Sequence, residues 1–405
     1  MTIPKFRLAV VSPFVDKRHG TERRVAEWLA RLAETFEIHL YSQRVEDLDL
    51  SRIVWHRIPK FPAPHLFNYL WWFTANHIWR GWDRRFRGLH PDLVFSPGIN
   101  CLDADVMSVH VVFAGYRRQN AASLRFRTQP LRNWPLILHR RLYYSLIALL
   151  ERHLYRDPKK SLILISRRTG EALQIFYGRA EKLPVVYLGL DQEVFNPETR
   201  LRLRDEARRA LHLSPGQFAL LIIGNDWRNK GLLVILEVLN RLRELPLQLL
   251  VVGQDDPSPY SKLIEENGCK EHVLFLPPRK DVEFYYAAAD AYVGPSLEDT
   301  FALPPAEAMA CGVPIITSIK NGTSEIIDNG SDGLLISDPS DAKELAALVR
   351  KLYEDPFLRE RIGAKASEKM KQFTWDRNGR EMTQILLQVM EKKNSLAPRA
   401  LRQEA

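Results

Sequence analysis

Short runs rich in Val, Ile and Leu alternate along the whole chain with stretches of helical period. That pattern constrains the fold more than any other feature. In the first half the runs are RLAVVS (7–12), EIHLYS (37–42), RIVWHRI (52–58), DLVFSPG (92–98), DVMSVHVV (105–112), SLILIS (161–166) and PVVYLGL (184–190). In the second half they are FALLIIG (218–224), LQLLVVG (247–253), VLFLP (273–277), AYVGPS (291–296), PIITS (314–318) and GLLIS (333–337). The runs barely alternate between apolar and polar, as expected of parallel strands covered on both faces by helices. Strand, helix, strand in succession is the signature of βαβ units.

The polar stretch DQEVFNPETRLRLRDEARRALHLSPGQ (191–217) separates the two series and reads as a linker. We therefore expect an α/β protein with two doubly wound, Rossmann-like domains and a cleft between them. An N-terminal domain would span 1–195 and a C-terminal domain 196–375. In such sheets ligands sit beyond the carboxyl ends of the strands. Apolar spacing predicts helices in DPSDAKELAALVRKLYEDP and in the stretch ending VMEKK, with a crossover helix at 376–393 and a flexible tail at 394–405.

The 405 residues suffice for two domains, and a 45% hydrophobic, 26% charged composition is that of a globular protein. Cys101, Cys269 and Cys311 are too scattered for a disulfide framework or a metal cluster, which suits a reducing compartment. The opening MTIPKFRLAVVSPFVDKRHG has too short an apolar run for a spanning helix and no small-residue cleavage site, so a first strand is expected there. Charge is uneven. Residues 1–160 hold 26 Lys and Arg against 14 Asp and Glu (+12), while the rest hold 32 against 35 (−3), together the chain's +9. The first half is built to face something anionic.

Two stretches of the second half could carry chemistry. In LLIIGNDWRNKGLLVILEVL (220–239) a strand ends at Gly224, a polar turn follows, and Lys230-Gly231 opens a helix. That geometry aims backbone N–H groups and a helix N-terminus at one spot, which suits a phosphate, and Lys230 and Arg228 add charge. An ordinary surface βα loop would read the same way. In SLEDTFALPPAEAMACG (296–312) Pro304 and Pro305 fit a first helical turn, where a missing N–H costs nothing. Glu307 is expected within that turn, to accept bonds from paired hydroxyls such as those of a ribose. Asp299, in the loop, is free to reach another part of a ligand. Two carboxylates flanking a phosphate-friendly helix end fit a nucleotide-sugar. A dipole-complementing Glu307 and a turn-capping Asp299 are the plainer alternative.

SLEDTFALPPAEAMACGVPIITS resembles the signature of retaining glycosyltransferases of the GT-B fold, glycosyltransferase family 4. RHGTERRVAEWLARL, ILISRRTGEALQIFYGRAEKLPVVYLGLDQEVFNP, NGTSEIIDNGSDGLLI and the late FTW segment resemble further family segments in the same order. The resemblance implies that Lys230 holds the donor diphosphate, that Glu307 binds the ribose, and that Asp299 lies near the sugar beside Phe301, Ala302 and Leu303. Asn225 stands where the family has an arginine, so Arg228 would compensate. Asp299 is a shortened acid and Ala302 replaces a glycine. Gly20 would let backbone approach the phosphates. His110 falls where the family places a histidine near the reacting carbon, although a buried strand-end imidazole would look the same. Glu325 matches a further family position. No metal and no cofactor are expected.

HLFNYLWWFTANHIWRGWDRRFRG (65–88) and the basic, aromatic stretch 117–160 distinguish the first half. Aromatics with Lys and Arg suit an anionic membrane surface or a phosphorylated, lipid-linked acceptor, and an aromatic core with a solvated basic face is the alternative. No nucleic-acid module is present. The resulting expectation is a metal-independent retaining hexosyltransferase in the cytoplasm, peripheral on the inner face of the membrane. Its donor would be a nucleotide-sugar, UDP-glucose first, and its acceptor an anionic glycolipid or glycan such as lipopolysaccharide core. A nucleotide-sugar epimerase or phosphorylase on the same fold, or an inactive donor- or membrane-binding module, remain open.

Overall fold

A computed structural model of the chain describes residues 5–17, 20–119, 124 and 130–396. They fall into two units, Met1–Tyr187 with Trp375–Ala405, and Leu188–Thr374. Each is built on a six-stranded, all-parallel sheet.

In the first unit β1 (Arg7–Val11), β2 (Phe14–Val15), β3 (Glu37–Ser42), β4 (Arg44–Val45), β5 (Ile53–Arg57), β6 (Leu93–Pro97), β7 (Val106–Val109) and β8 (Ser161–Leu164) follow in chain order. The sheet order is β5-β3-β1-β6-β7-β8, with β2 and β4 pairing separately. Successive residues of β1 enter opposite cores. Leu8 and Val10 meet Trp28, Leu29 and Met382 on one face. Ala9 and Val11 meet Trp72, Tyr155 and Leu173 on the other. Two covered faces are why the strand reads as unbroken apolar sequence. Helix Trp375–Leu396 belongs to this unit and seats Met382, Leu386 and Met390 in its core. It extends past the expected 393, so residues 394–396 of the expected tail are helical, and 397–405 lie outside the described residues.

The second unit contains β9 (Phe218–Ile223), β10 (Leu247–Val252), β11 (Val273–Leu276), β12 (Ala291–Gly294), β13 (Ile315–Ser318) and β14 (Leu334–Ile336). Their order is β11-β10-β9-β12-β13-β14. From β9 the chain first winds outward through β10 and β11, then returns to β12 on the other side of β9. The loops after β9 and β12 therefore flank the switch point, where open α/β sheets bind ligands. Those loops carry Lys230 and Asp299.

Two expectations are corrected. The run 184–190 is not a strand. It makes one bridge at each end, Val185 to Leu164 and Leu190 to Thr374. The chain passes from one unit to the other between Tyr187 and Leu188, so no continuous ladder forms. Nor is 191–217 a plain linker. It holds helix Pro197–Ala210, started by Asn196, whose side chain accepts from the Thr199 N–H at 2.7 Å. Arg200, Arg204 and Arg208 form one stripe, as four-residue spacing requires, and donate to the carbonyls of Ala287, Ala288, Ala289 and Gly312. Their charge, which reads in sequence as solvation, caps the negative end of helix Glu283–Ala288.

Candidate functional site

The turn after β9 is shaped by backbone that only glycine tolerates well. Gly224 has φ +131° and Gly231 φ +87°, and Asp226 joins them in the left-handed region at +58°. Trp227, 2% exposed, anchors the turn against Phe275 and Tyr260. Its own N–H donates to Asp255 at 2.7 Å. Gly231 then starts helix Leu232–Arg241. Held between these fixed points, Lys230 reaches across the switch point and its Nζ donates to Asp299 Oδ2 at 2.5 Å. Both side chains are mostly buried, 13% and 18% exposed. Asn229 joins the same two loops, donating from Nδ2 to Glu298 O at 2.7 Å.

The loop bearing Asp299 is stapled to residues 320–323. Asp299 N–H donates to Lys320 O, and Gly322 N–H donates to Asp299 O. The Thr323 hydroxyl donates to Ala302 O at 2.7 Å, while buried Asn321 accepts from the N–H groups of Ala302 and Thr323. Phe301 and Ala302 are buried. Ala302 is the N-cap of helix Leu303–Ala310, with Pro304 and Pro305 in its first turn as expected.

Glu307 is not in that first turn. Because the helix begins at Leu303, Glu307 sits one turn further in, 6% exposed, and accepts from the Tyr286 hydroxyl at 2.8 Å. Asp299 is likewise not free, since Lys230 already holds it. Asn225 is committed too, its Oδ1 accepting from Gln254 N–H at 3.0 Å. Arg228 is exposed, and Glu325 is half-buried in the turn Gly322–Ile326. Tyr286, Asn321, Thr323 and Asn229 went unread in the sequence, because nothing marks a partner that lies tens of residues away. The segment NGTSE did flag Asn321 and Thr323 as part of a family stretch.

In the first unit, Gly20 is the exposed first residue of helix Gly20–Thr35, and a side chain there would meet nothing within 4 Å. Arg18 and His19 lie outside the described residues. His110 follows β7 and is 9% exposed. Its Nδ1 lies 3.1 Å from Arg24 Nη1 and its Nε2 2.7 Å from Ser108 Oγ. Burial, and then the Arg24 charge, hold its pKa well below the usual histidine value. Three residues after His110, the N–H groups of Phe113 (2.7 Å) and Ala114 (3.1 Å) donate to buried Glu151, which also accepts from the Tyr177 hydroxyl. Burial pushes this carboxyl up to about 7 against those three donors.

The aromatic segment divides. Trp72 and Arg80 are core residues, Arg80 bound through both Nη atoms to Asp103, so neither belongs to the expected basic surface. Phe67, Ile78, Trp82 and Phe86 are exposed on helix His65–Phe86, and Trp134, Leu138, Leu142 and Leu149 on helix Trp134–Tyr155. Arg125 and Arg127 lie outside the described residues. Among the described residues no group of three or more His, Cys, Asp or Glu is arranged to hold a metal ion. No described helix is long and apolar enough to cross a membrane.

Two parallel Rossmann-type units, one with a basic side chain and an acid at its switch point, define the GT-B class of fold. The family model described as glycosyl transferases group 1 matches residues 204–369. A D-inositol 3-phosphate glycosyltransferase of Catenulispora acidiphila is 32% identical over 229 residues, 52% of this chain and 54% of that protein. The chain spans about half the length of the curated relatives it matches. Among solved structures, WaaG, a glycosyltransferase involved in lipopolysaccharide biosynthesis, is similar with TM-score 0.73 and 20% identity, covering 93% of this chain and 99% of that one. Anabaena HepE in complex with UDP-glucose gives TM-score 0.68 and 18% identity, covering 96% and 100%.

Proposed function

We propose that this protein moves a hexosyl group from a nucleotide-sugar, UDP-glucose first, to a cell-envelope glycoconjugate or lipid-linked acceptor, with retention and without a metal. The observation that carries the reading is the Lys230–Asp299 pair at the switch point of the second unit, with Glu307 one turn into the next helix. The lysine ammonium has three N–H donors, so it can keep Asp299 and still face an incoming diphosphate. In transfer, the bond from the anomeric carbon to the diphosphate oxygen breaks and the acceptor hydroxyl oxygen takes its place. The hydroxyl proton passes to the departing diphosphate. Lys230 and the neighbouring helix N-termini stabilise the negative charge that develops there. Glu307 takes the ribose hydroxyls, with Tyr286 fixing its carboxylate. The names of HepE, bound with UDP-glucose, and of WaaG support the choice of donor and acceptor class.

A thermal-shift panel of UDP, GDP, ADP and their sugar conjugates tests the donor site. One nucleotide family is expected to raise the melting midpoint by mass action. Glu307→Gln should abolish the shift while folding normally, because the amide oxygen still accepts from Tyr286. An unchanged shift in the variant removes Glu307 from the site. Product analysis with labelled donor separates transfer from epimerisation or phosphorolysis.

We also propose peripheral attachment to an anionic membrane through the exposed apolar side chains of helices His65–Phe86 and Trp134–Tyr155, with Arg84, Arg85, Arg140 and Arg141 nearby. Flotation with vesicles should show binding that needs acidic lipid and weakens with salt. Equal recovery with neutral vesicles overturns it.

A further inference from the structure

Two histidines meet on neighbouring strands of the first unit. The register sets Tyr41 of β3 opposite His56 of β5, so His39, two residues before Tyr41, stands on the same face and diagonal to His56. His39 Nδ1 lies 3.0 Å from His56 Nε2. The outer ring nitrogens are engaged as well. His39 Nε2 is 3.0 Å from Glu37 Oε1, and His56 Nδ1 is 2.7 Å from Asp83 Oδ2. The groups form one chain of carboxylate, imidazole, imidazole, carboxylate, from partly exposed Glu37 to buried Asp83.

Three links need three protons, one in each, and an ionised carboxylate can only accept. Two neutral imidazoles carry two protons between them, which leaves one link with lone pair facing lone pair. Three protons on two rings make one imidazole and one imidazolium. Both carboxylates are placed to stay ionised. Asp83 also accepts from the Tyr41 hydroxyl at 2.9 Å and pairs with Arg87 at 3.1 Å, while Arg7 stands 3.4 Å from the second oxygen of Glu37. Burial, and then the bond to Asp83, raise the Tyr41 pKa, so its hydroxyl keeps its proton. Tyr41 also stacks on the His56 ring with centroids 4.4 Å apart, which fixes the ring plane. The charged and titratable groups facing the rings are thus Glu37, Tyr41, Asp83 and Arg87. Arg7 and Arg80 stand one contact further out, and Arg80 is bound to Asp103.

We propose that His39 and His56 hold a single shared proton at neutral pH, which clasps β3, β5 and the last turn of helix His65–Phe86 together and makes that contact sensitive to pH. The shared proton is bound more tightly in the folded chain than in the unfolded one. Its stabilisation is present below the ordinary histidine value of about 6.5 and is lost as pH rises through the folded value. A second proton is resisted, because it would set N–H against N–H across the 3.0 Å contact. Burial lowers the His56 pKa, Asp83 opposes that, and the His39 and Arg87 charges add to the lowering. On that side stability is lost as pH falls below about 6.5. The clasp therefore contributes most near pH 6.5, where two unfolded imidazoles also share about one proton. When the proton leaves, the chain opens at its exposed end, where Glu37 can turn to Arg7 and water.

Glu37→Gln tests the count. A glutamine amide donates to His39 Nε2, so all three links form with two neutral rings and no extra proton is needed. The side chain at 37 is 42% exposed, so the variant should fold. Nitrogen NMR of the imidazoles at pH 7, assigned with His39→Gln and His56→Gln, should show three protonated ring nitrogens of four in wild type and two in Glu37→Gln. Two in wild type overturns the proposal. Denaturant unfolding across pH 5–9 reads the same proton by its linkage. Above pH 6.5 the unfolding constant of wild type should rise relative to that of Glu37→Gln by up to about tenfold per pH unit, until the folded pair gives up its proton. Parallel profiles for the two proteins overturn the clasp. Both readouts are taken without any sugar donor, so they stand or fall apart from the transfer reaction.

Discussion

Lys230→Ala is expected to lower kcat by about 10²- to 10³-fold, the scale of losing one preorganised charge-stabilising donor. The loss should fall on kcat more than on KM, because the negative charge on the diphosphate grows as the sugar departs. The same substitution leaves Asp299, 18% exposed, without its cation, so stability should fall as well, by roughly 1–3 kcal/mol given the residual solvent access. Asp299→Asn makes the converse cut in the same pair. It keeps an oxygen to accept from Lys230 but leaves that ammonium, 13% exposed, without a counter-charge, so its turnover should drop and its stability should fall by a comparable amount, roughly 1–3 kcal/mol. A double-mutant cycle on the pair should return a coupling well above that of an exposed ion pair. If Lys230→Ala retains turnover within threefold, the diphosphate is held elsewhere and the switch-point reading is wrong.

Strand identity was legible because strands of a sheet covered on both faces are apolar throughout. Every run assigned as a strand in the second half, from 218–224 to 333–337, contains one. The two-residue strands Phe14–Val15 and Arg44–Val45 were not legible, since two residues carry no period. The helix Pro197–Ala210 was hidden by its arginines, whose carbonyl partners lie about eighty residues further along the chain. The site was legible as separate parts. Lys230, Asp299 and Glu307 were each marked by local turn and helix-start chemistry and by family likeness. Their pairing was not, because 69 residues separate Lys230 from Asp299 and 86 separate Arg24 from His110. A short-range pattern says which side chains stand at strand ends. It does not say which strand ends are neighbours, and that is what turned Asp299 from a free acid into the partner of Lys230.

The glycine beside that lysine is where sequence, backbone and site are most tightly joined. Gly231→Ala should destabilise the second unit by about 2–4 kcal/mol and cost most of the turnover that remains in the folded fraction. Two terms add. A left-handed backbone at φ +87° costs a non-glycine residue about 1–2 kcal/mol. The new Cβ would also stand 2.5 Å from Pro295 O and 2.7 Å from Pro295 Cγ, inside van der Waals contact with atoms that cannot swing away. Pro295 follows β12 directly and leads into the Asp299 loop, so relieving the overlap moves Asp299 away from Lys230. Gly330 is the control. It has a similar φ of +79° but nothing within 4 Å of an added Cβ, so Gly330→Ala should cost only the backbone term, about 1–2 kcal/mol, and leave turnover unchanged. Denaturant unfolding of both variants reads the difference directly. Equal losses at the two glycines would mean that the left-handed turn alone sets the cost, and that the contact with Pro295 does not hold the two loops of the site in register.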